Sequence, residues 1–134
     1  MAMTILNADI LKALIQHHIA LIKRFNSGDF EEFSLLFLKV DHLQKTENKK
    51  SIQIIFRDSD VIFEYKKNYI ILLPKTRWND ATMLLEGLQL FVNQDIKDTI
   101  VTYPDDGKDA DELLYNLKKL VKKVYKIDLT LGHL

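Results

Sequence analysis

Arg57 and Asp60 stand three residues apart in the polar stretch Arg57-Asp58-Ser59-Asp60. A guanidinium is a planar fork that can hold phosphate through two parallel hydrogen bonds, and a neighbouring carboxylate can accept from a ligand N–H. The same pair can instead close on itself at a turn. Lys66 and Lys67 form a second charged pair, flanked by Tyr65, Asn68 and Tyr69. Their ammonium groups can attract phosphate but cannot ligate a cation while protonated. A third group is Lys118, Lys119, Lys122, Lys123 and Lys126, spaced to line one side of a helix. Such a face suits an anionic partner, and it also suits a solvated helix C-terminus, where cations complement the dipole. Arg77 and Trp78 are residue types that anchor protein interfaces, or they pack at a helix start.

Other chemistry is poorly supplied. His17 and His18 are adjacent, so they point to different sides of a helix. His18 is read as lying opposite much of the apolar stripe, and no further ligand stands at metal-binding spacing, so both read as surface or boundary histidines. Asp105, Asp106, Asp109 and Asp111 lack the twelfth-position Glu of a calcium loop. A turn followed by a helix N-terminus explains them more simply. There is no G-x-G-x-x-G or Walker A pattern, and no serine sits in a nucleophile-elbow context. No metal and no cofactor is expected.

The 134 residues suggest one domain, with a core from about residue 9 to residue 126. Nineteen basic residues balance nineteen acidic ones, which argues against a general nucleic-acid binder. A 47% hydrophobic content supports a packed core. The absence of cysteine excludes disulfides, thiolate zinc sites and cysteine nucleophiles. No apolar run approaches the roughly 20 residues of a membrane helix, and the first residues lack a secretory pattern. A cytoplasmic setting and no membrane contact are the expectations.

The elements follow from periodicity. Leu11, Leu14, Ile15, Ile19, Ile22 and Phe25 form one helical stripe, capped by Asn7 or Asp9. Phe33 to Val40 reads as a central strand covered on both faces. Residues 51–56 fit a strand through Ile52, Ile54 and Phe56, or a short helix through Ile52, Ile55 and Phe56. Val61–Tyr65 and Tyr69–Leu73 read as a hairpin, with Asn68 suited to a positive φ and Pro74 closing the second strand. A second long helix is capped by Asn79 or Asp80 and buries Met83 or Leu84, Leu88, Phe91 and Val92. Gly87 inside it suggests a close neighbour. A strand over roughly Ile96–Tyr103, the turn Pro104–Gly107 and a final helix complete the chain. The class is α/β or α+β, with a mixed sheet flanked by helices.

Four stretches in this order resemble a GGDEF domain, the palm-like diguanylate cyclase fold. Leu35–Leu43 resembles the first strand with its D-x-D-H-F ending. Arg57–Asp60 followed by Val61–Phe63 resembles the R-x-S-D entry to the signature hairpin. Tyr69–Pro74, with Ala81 beyond it, resembles the strand leaving that hairpin. Tyr103–Gly107 followed by Asp111–Leu114 resembles the late strand, turn and helix. Such domains condense two GTP molecules into cyclic di-GMP, with carboxylates holding Mg²⁺ against the triphosphate.

The resemblance implies losses at the functional positions. Lys39 stands at the first metal-carboxylate position, and Asp41 matches the second Asp of the pattern. The signature hairpin reads Tyr65-Lys66-Lys67-Asn68-Tyr69, or one residue later counted from Arg57. Neither register has the two glycines or the acidic pair. Glu47-Asn48 falls loosely in the guanine-contacting region, the middle of the domain is short, and only Asp9-Ile10-Leu11 echoes the N-terminal pattern. Diguanylate cyclase activity is expected to be absent. Arg57-x-x-Asp60 matches the inhibitory site, which implies cyclic di-GMP as a candidate ligand.

Three functions follow. The first is an inactive GGDEF-like module that contacts another protein or a second copy. The second is a cyclic di-GMP receptor through Arg57 and Asp60. The third is a nucleotide-acting enzyme with a different acidic site, drawn from Asp41, Asp58, Asp60 and Glu64.

Overall fold

The computed structural model describes residues 5–25, 31–40, 52–92 and 96–130. The order is β1 (Ile5–Asn7), a 3₁₀ turn (Ala8–Ile10), α1 (Leu11–Phe25), β2 (Phe33–Leu38), a one-turn α2 (residues 52–55), β3 (Val61–Tyr65), β4 (Asn68–Pro74), α3 (Trp78–Val92), β5 (Ile100–Tyr103) and α4 (Ala110–Tyr125). The five strands form one sheet in the order β1-β3-β4-β2-β5. β4 and β5 both run antiparallel to β2, so they are parallel to each other and α3 is their crossover. The mixed sheet flanked by helices is the architecture expected from the sequence.

β2 and β4 are buried on both faces because helices cover both. Phe33, Leu35 and Phe37 point to the side of α1 and α4, packing with Ile15, Ile19, Leu113, Leu117 and Val121. Leu36, Leu38 and Val40 point the other way, toward Ala81, Leu85 and Leu88 of α3 and Ile52 and Phe56 of α2. Strand alternation thus feeds two cores from one continuous apolar run.

Asn7 caps the first turn, its side chain accepting from the Asp9 amide at 2.8 Å. Asp109 caps α4 by accepting from the Glu112 amide at 2.8 Å. Gly107 is needed where it stands, since a Cβ there would lie 2.7 Å from the Leu113 backbone nitrogen.

Several expectations change. Residues 52–55 are helical, with Ile52 and Phe56 buried and Ile54 exposed, which is the helical face and not the strand alternation. The strand β1 was not expected; three residues are too short for a periodic signal, and pairing with β3 defines it. The hairpin turn is Lys66-Lys67, both at positive φ (45° and 67°), while Asn68 is buried in β4 opposite Tyr65. β5 begins at Ile100, with the Phe37–Thr99 backbone bond extending its pairing.

In α1 the stripe ends at Ile22; residues 23–25 are all exposed, Phe25 included. α3 starts at Trp78, so Asn79 and Asp80 lie inside its first turn and do not cap it. Its buried face is Ala81, Leu85 and Leu88, with Leu84 partly buried. Met83 and Phe91 face outward, because α3 carries apolar residues on more than one face and periodicity alone cannot choose between them. Among the described residues, an added Cβ at Gly87 meets nothing within 4 Å, so no close neighbour there explains it. Residues 26–30, 41–51, 93–95 and 131–134, with Asp41, Glu47 and Asn48, lie outside the described residues.

Candidate functional site

Sheet pairing brings the exit of β2 beside the β3–β4 turn. Leu38 pairs with Tyr69, and the Val40 amide donates to the Asn68 Oδ1 at 3.0 Å. Lys39 and the turn lysines Lys66 and Lys67 therefore stand at one end of the sheet. Both turn lysines are exposed, and the Lys66 Nζ sits 5.4 Å from the Tyr65 ring centroid. Positive φ at both turn positions is what a type I′ turn demands and what a Gly-Gly pair supplies without strain.

Among the described residues, the side chains at this end include the three lysines, Asn68, whose oxygen accepts from the Val40 amide, and the single carboxylate Glu64, which lies opposite Tyr69 in the hairpin. Among the described residues, no group of three or more His, Asp or Glu is gathered for a metal. Asp60 precedes β3 and Glu64 lies near its far end, so roughly 13 Å of extended backbone separates the two residues. Glu64 is exposed and, with burial as the larger cause, holds the Tyr69 phenol above its ordinary pKa.

Arg57 and Asp60 close on each other. The Arg57 Nη2 meets the Asp60 Oδ1 at 2.8 Å, and the Arg57 backbone amide donates to the Asp60 Oδ2 at 2.8 Å. The same Nη2 also donates to the Pro74 carbonyl and the Thr76 Oγ1, at 2.8 and 2.9 Å. The Asp60 side chain is 2% exposed and that of Arg57 is 53% exposed. The pair staples the entry of β3 to the exit of β4, leaving one guanidinium edge toward solvent.

Lys118, Lys119, Lys122 and Lys123 share one surface cavity of about 570 Å³ with Tyr115 and Leu120. The Lys119 Nζ sits 5.3 Å from the Tyr115 ring centroid, and the Lys122 Nζ pairs with Asp128 at 3.1 Å. Lys126 is outside that lining; it ends α4 at positive φ, with its amide donating to the Lys122 carbonyl. Arg77 is exposed with a 3.8 Å ion pair to Glu32, and half-exposed Trp78 borders a separate cavity of about 460 Å³.

His18 is not opposite the apolar stripe. It flanks it, edge-on to Phe33 with ring centroids 4.9 Å apart, and its Nε2 is buried without a hydrogen-bond partner. Position 18 is three residues past Ile15, which places it at the margin of the buried face. Burial holds its pKa below 6.5, with Glu31 opposing and His17 reinforcing the shift.

Two features escaped the sequence reading. The Tyr65 hydroxyl accepts from the Thr130 amide at 2.7 Å and donates to the Asp128 carbonyl at 3.4 Å, which clasps the segment after α4 to the hairpin. An outward apolar group on α3 (Met83, Leu90 and Phe91) is the other. Its signal was a second stripe at three- and four-residue spacing, offset from the buried one.

The architecture is that of a GGDEF domain. A deletion variant of TpbB (YfiN) from Pseudomonas aeruginosa comprising only its GGDEF domain superposes with a TM-score of 0.64 at 13% identity, covering 89% of this chain and 86% of that one. A DGC protein from Thermotoga maritima superposes with a TM-score of 0.60 at 16% identity, covering 87% of this chain and 95% of that one. No protein-family model and no curated protein matches the sequence. Among the described residues, no helix is long and apolar enough to cross a membrane.

Proposed function

We propose that this chain is a GGDEF-fold module without diguanylate cyclase activity, which acts by contact with a protein partner or a second copy of itself. The observation that carries this reading is the end of the sheet where β2 meets the hairpin. Phosphoryl transfer there would need carboxylates to hold Mg²⁺ and a backbone that admits a triphosphate. Among the described residues, this chain offers Lys39, Lys66 and Lys67 and the single carboxylate Glu64 there, with lysine side chains on the turn in place of glycine. Ammonium groups can neutralise phosphate, but they cannot supply the metal-bound oxygens of that reaction.

The Arg57–Asp60 pair is assigned to the fold. Asp60 is buried and already bonded to Arg57, and the Arg57 Nη2 is also held by Pro74 and Thr76, so a ligand would find only the remaining guanidinium edge and no free carboxylate. The fold likeness to two GGDEF structures supports membership of a signalling superfamily at the level of architecture only.

The test is a ¹⁵N NMR titration with cyclic di-GMP and, separately, with GTP plus Mg²⁺. The reading predicts no saturable shift at Arg57 or Asp60 with cyclic di-GMP. Saturable shifts there, abolished by Arg57→Ala, would make the chain a dinucleotide receptor. Specific shifts at Lys39, Lys66 and Lys67 with GTP that need Mg²⁺ would restore the substrate groove.

A further inference from the structure

We infer that the outward face of α3 is a self-association surface, on which a second copy of this chain packs its own α3 antiparallel across Gly87. The inference deepens the contact-module reading. That reading survives its failure, because a monomeric module can still bind a different protein.

The face is built from Met83, Gly87, Leu90 and Phe91, which sit at i−4, i, i+3 and i+4 around the glycine. They share one side of the helix. Met83 is 67% exposed, Leu90 85% and Phe91 57%. Taking about 150–250 Å² for a large side chain, those fractions leave roughly 400 Å² of apolar surface. That is about the size of the largest apolar patch a monomer normally exposes, and such patches are often functional.

Gly87 gives the face its shape. A glycine in an exposed helix interior weakens the helix, and no packing among the described residues compensates, since an added Cβ meets nothing within 4 Å. Between three apolar side chains it leaves a gap at the level of the backbone. Small residues at such a crossing let two helices approach closely and their flanking side chains interdigitate.

A second copy is the occupant that matches this pattern best. A two-fold axis through Gly87 sets Met83 against Phe91 of the other copy, and Leu84 against Leu90. Each apolar side chain then meets an apolar side chain, with glycine on glycine at the crossing. The helix's charges are both acidic, Asp80 and Glu86. The antiparallel register keeps Asp80 away from Asp80 of the other copy, and Glu86 lies off the seam. Two such patches remove about 800 Å² of apolar surface, below the roughly 1,200 Å² of stable specific interfaces and within the range of weak, transient ones. That size fits a weak, closed dimer.

Sedimentation velocity across a concentration series tests this directly. The expected result is a monomer–dimer equilibrium that Leu90→Glu shifts to monomer. Gly87→Gln should weaken the dimer at least tenfold while raising the melting temperature of the dilute monomer, because it improves the helix and fills the gap. That opposite pair of effects keeps the test valid even if Leu90→Glu fails to fold. The chain has no cysteine, so a mixture of Met83→Cys and Phe91→Cys should form a mixed disulfide faster than either variant forms its own. A chain that stays monomeric at every concentration would overturn the inference. So would a dimer whose affinity neither α3 variant changes.

Discussion

Gly87 and Gly107 illustrate how differently one residue type can be constrained. Gly107 lies against the first turn of α4, and Gly107→Ala should cost about 1–3 kcal/mol in urea denaturation, as overpacking does. Gly87 has open space, and Gly87→Ala should stabilise the monomer by about 0.5–1 kcal/mol. The hairpin turn gives a similar reading. Lysines at φ 45° and 67° are strained, so the double substitution Lys66→Asn with Lys67→Gly should raise stability by roughly 1 kcal/mol. His18 supplies the pH dependence. Burial lowers its folded pKa below 6.5, so below that value the unfolded chain binds the proton more readily. The loss linked to His18 protonation is therefore small above neutral pH and grows progressively as pH falls through 6.5 and toward its folded pKa. Melting temperatures from pH 8 to pH 5 should show this loss, and His18→Leu should remove that part of it.

At the scale of elements, two polar clasps hold the hairpin to its surroundings. Arg57→Ala leaves the buried Asp60 carboxylate without its charged partner and frees the exit of β4. A loss of about 2 kcal/mol is expected in chemical denaturation, with half-exposure of the guanidinium keeping it below a fully buried pair. The Tyr65 clasp should behave more locally. Tyr65→Phe should cost about 1 kcal/mol, and amide exchange at Thr130 should quicken while buried Leu129 keeps the segment docked. The elements themselves were largely legible. The apolar run Phe33–Leu38 announced a strand covered twice, and the two β-rich runs around Lys66-Lys67 announced the hairpin. The turn residue was misplaced because Asn68 has the better intrinsic left-handed propensity, yet cross-strand pairing with Tyr65 and the bond to Val40 fix it as extended. The buried face of α3 was misread for a different reason. Leu88 belongs to the inner stripe, while Met83 and Phe91 belong to an outer one, and only the sheet beneath decides which faces in.

At the scale of the whole molecule, the chain builds a GGDEF-like architecture with lysines at the end of the sheet where β2 meets the hairpin. The fold was legible because it rests on order and burial pattern, which survive where identity to the compared structures is 13–16%. The candidate site was legible only in part. Lysine at positions 39, 66 and 67 can be read from residue types, whereas the closure of Arg57 on Asp60, Pro74 and Thr76 joins residues up to 19 positions apart and needs the fold. The most direct measurement is a chromatographic assay for cyclic di-GMP after prolonged incubation of concentrated protein with GTP and either Mg²⁺ or Mn²⁺. The account predicts GTP recovered intact, with neither cyclic di-GMP nor pyrophosphate formed. Cyclic di-GMP accumulating in proportion to protein, and lost on substitution at the hairpin, would contradict it.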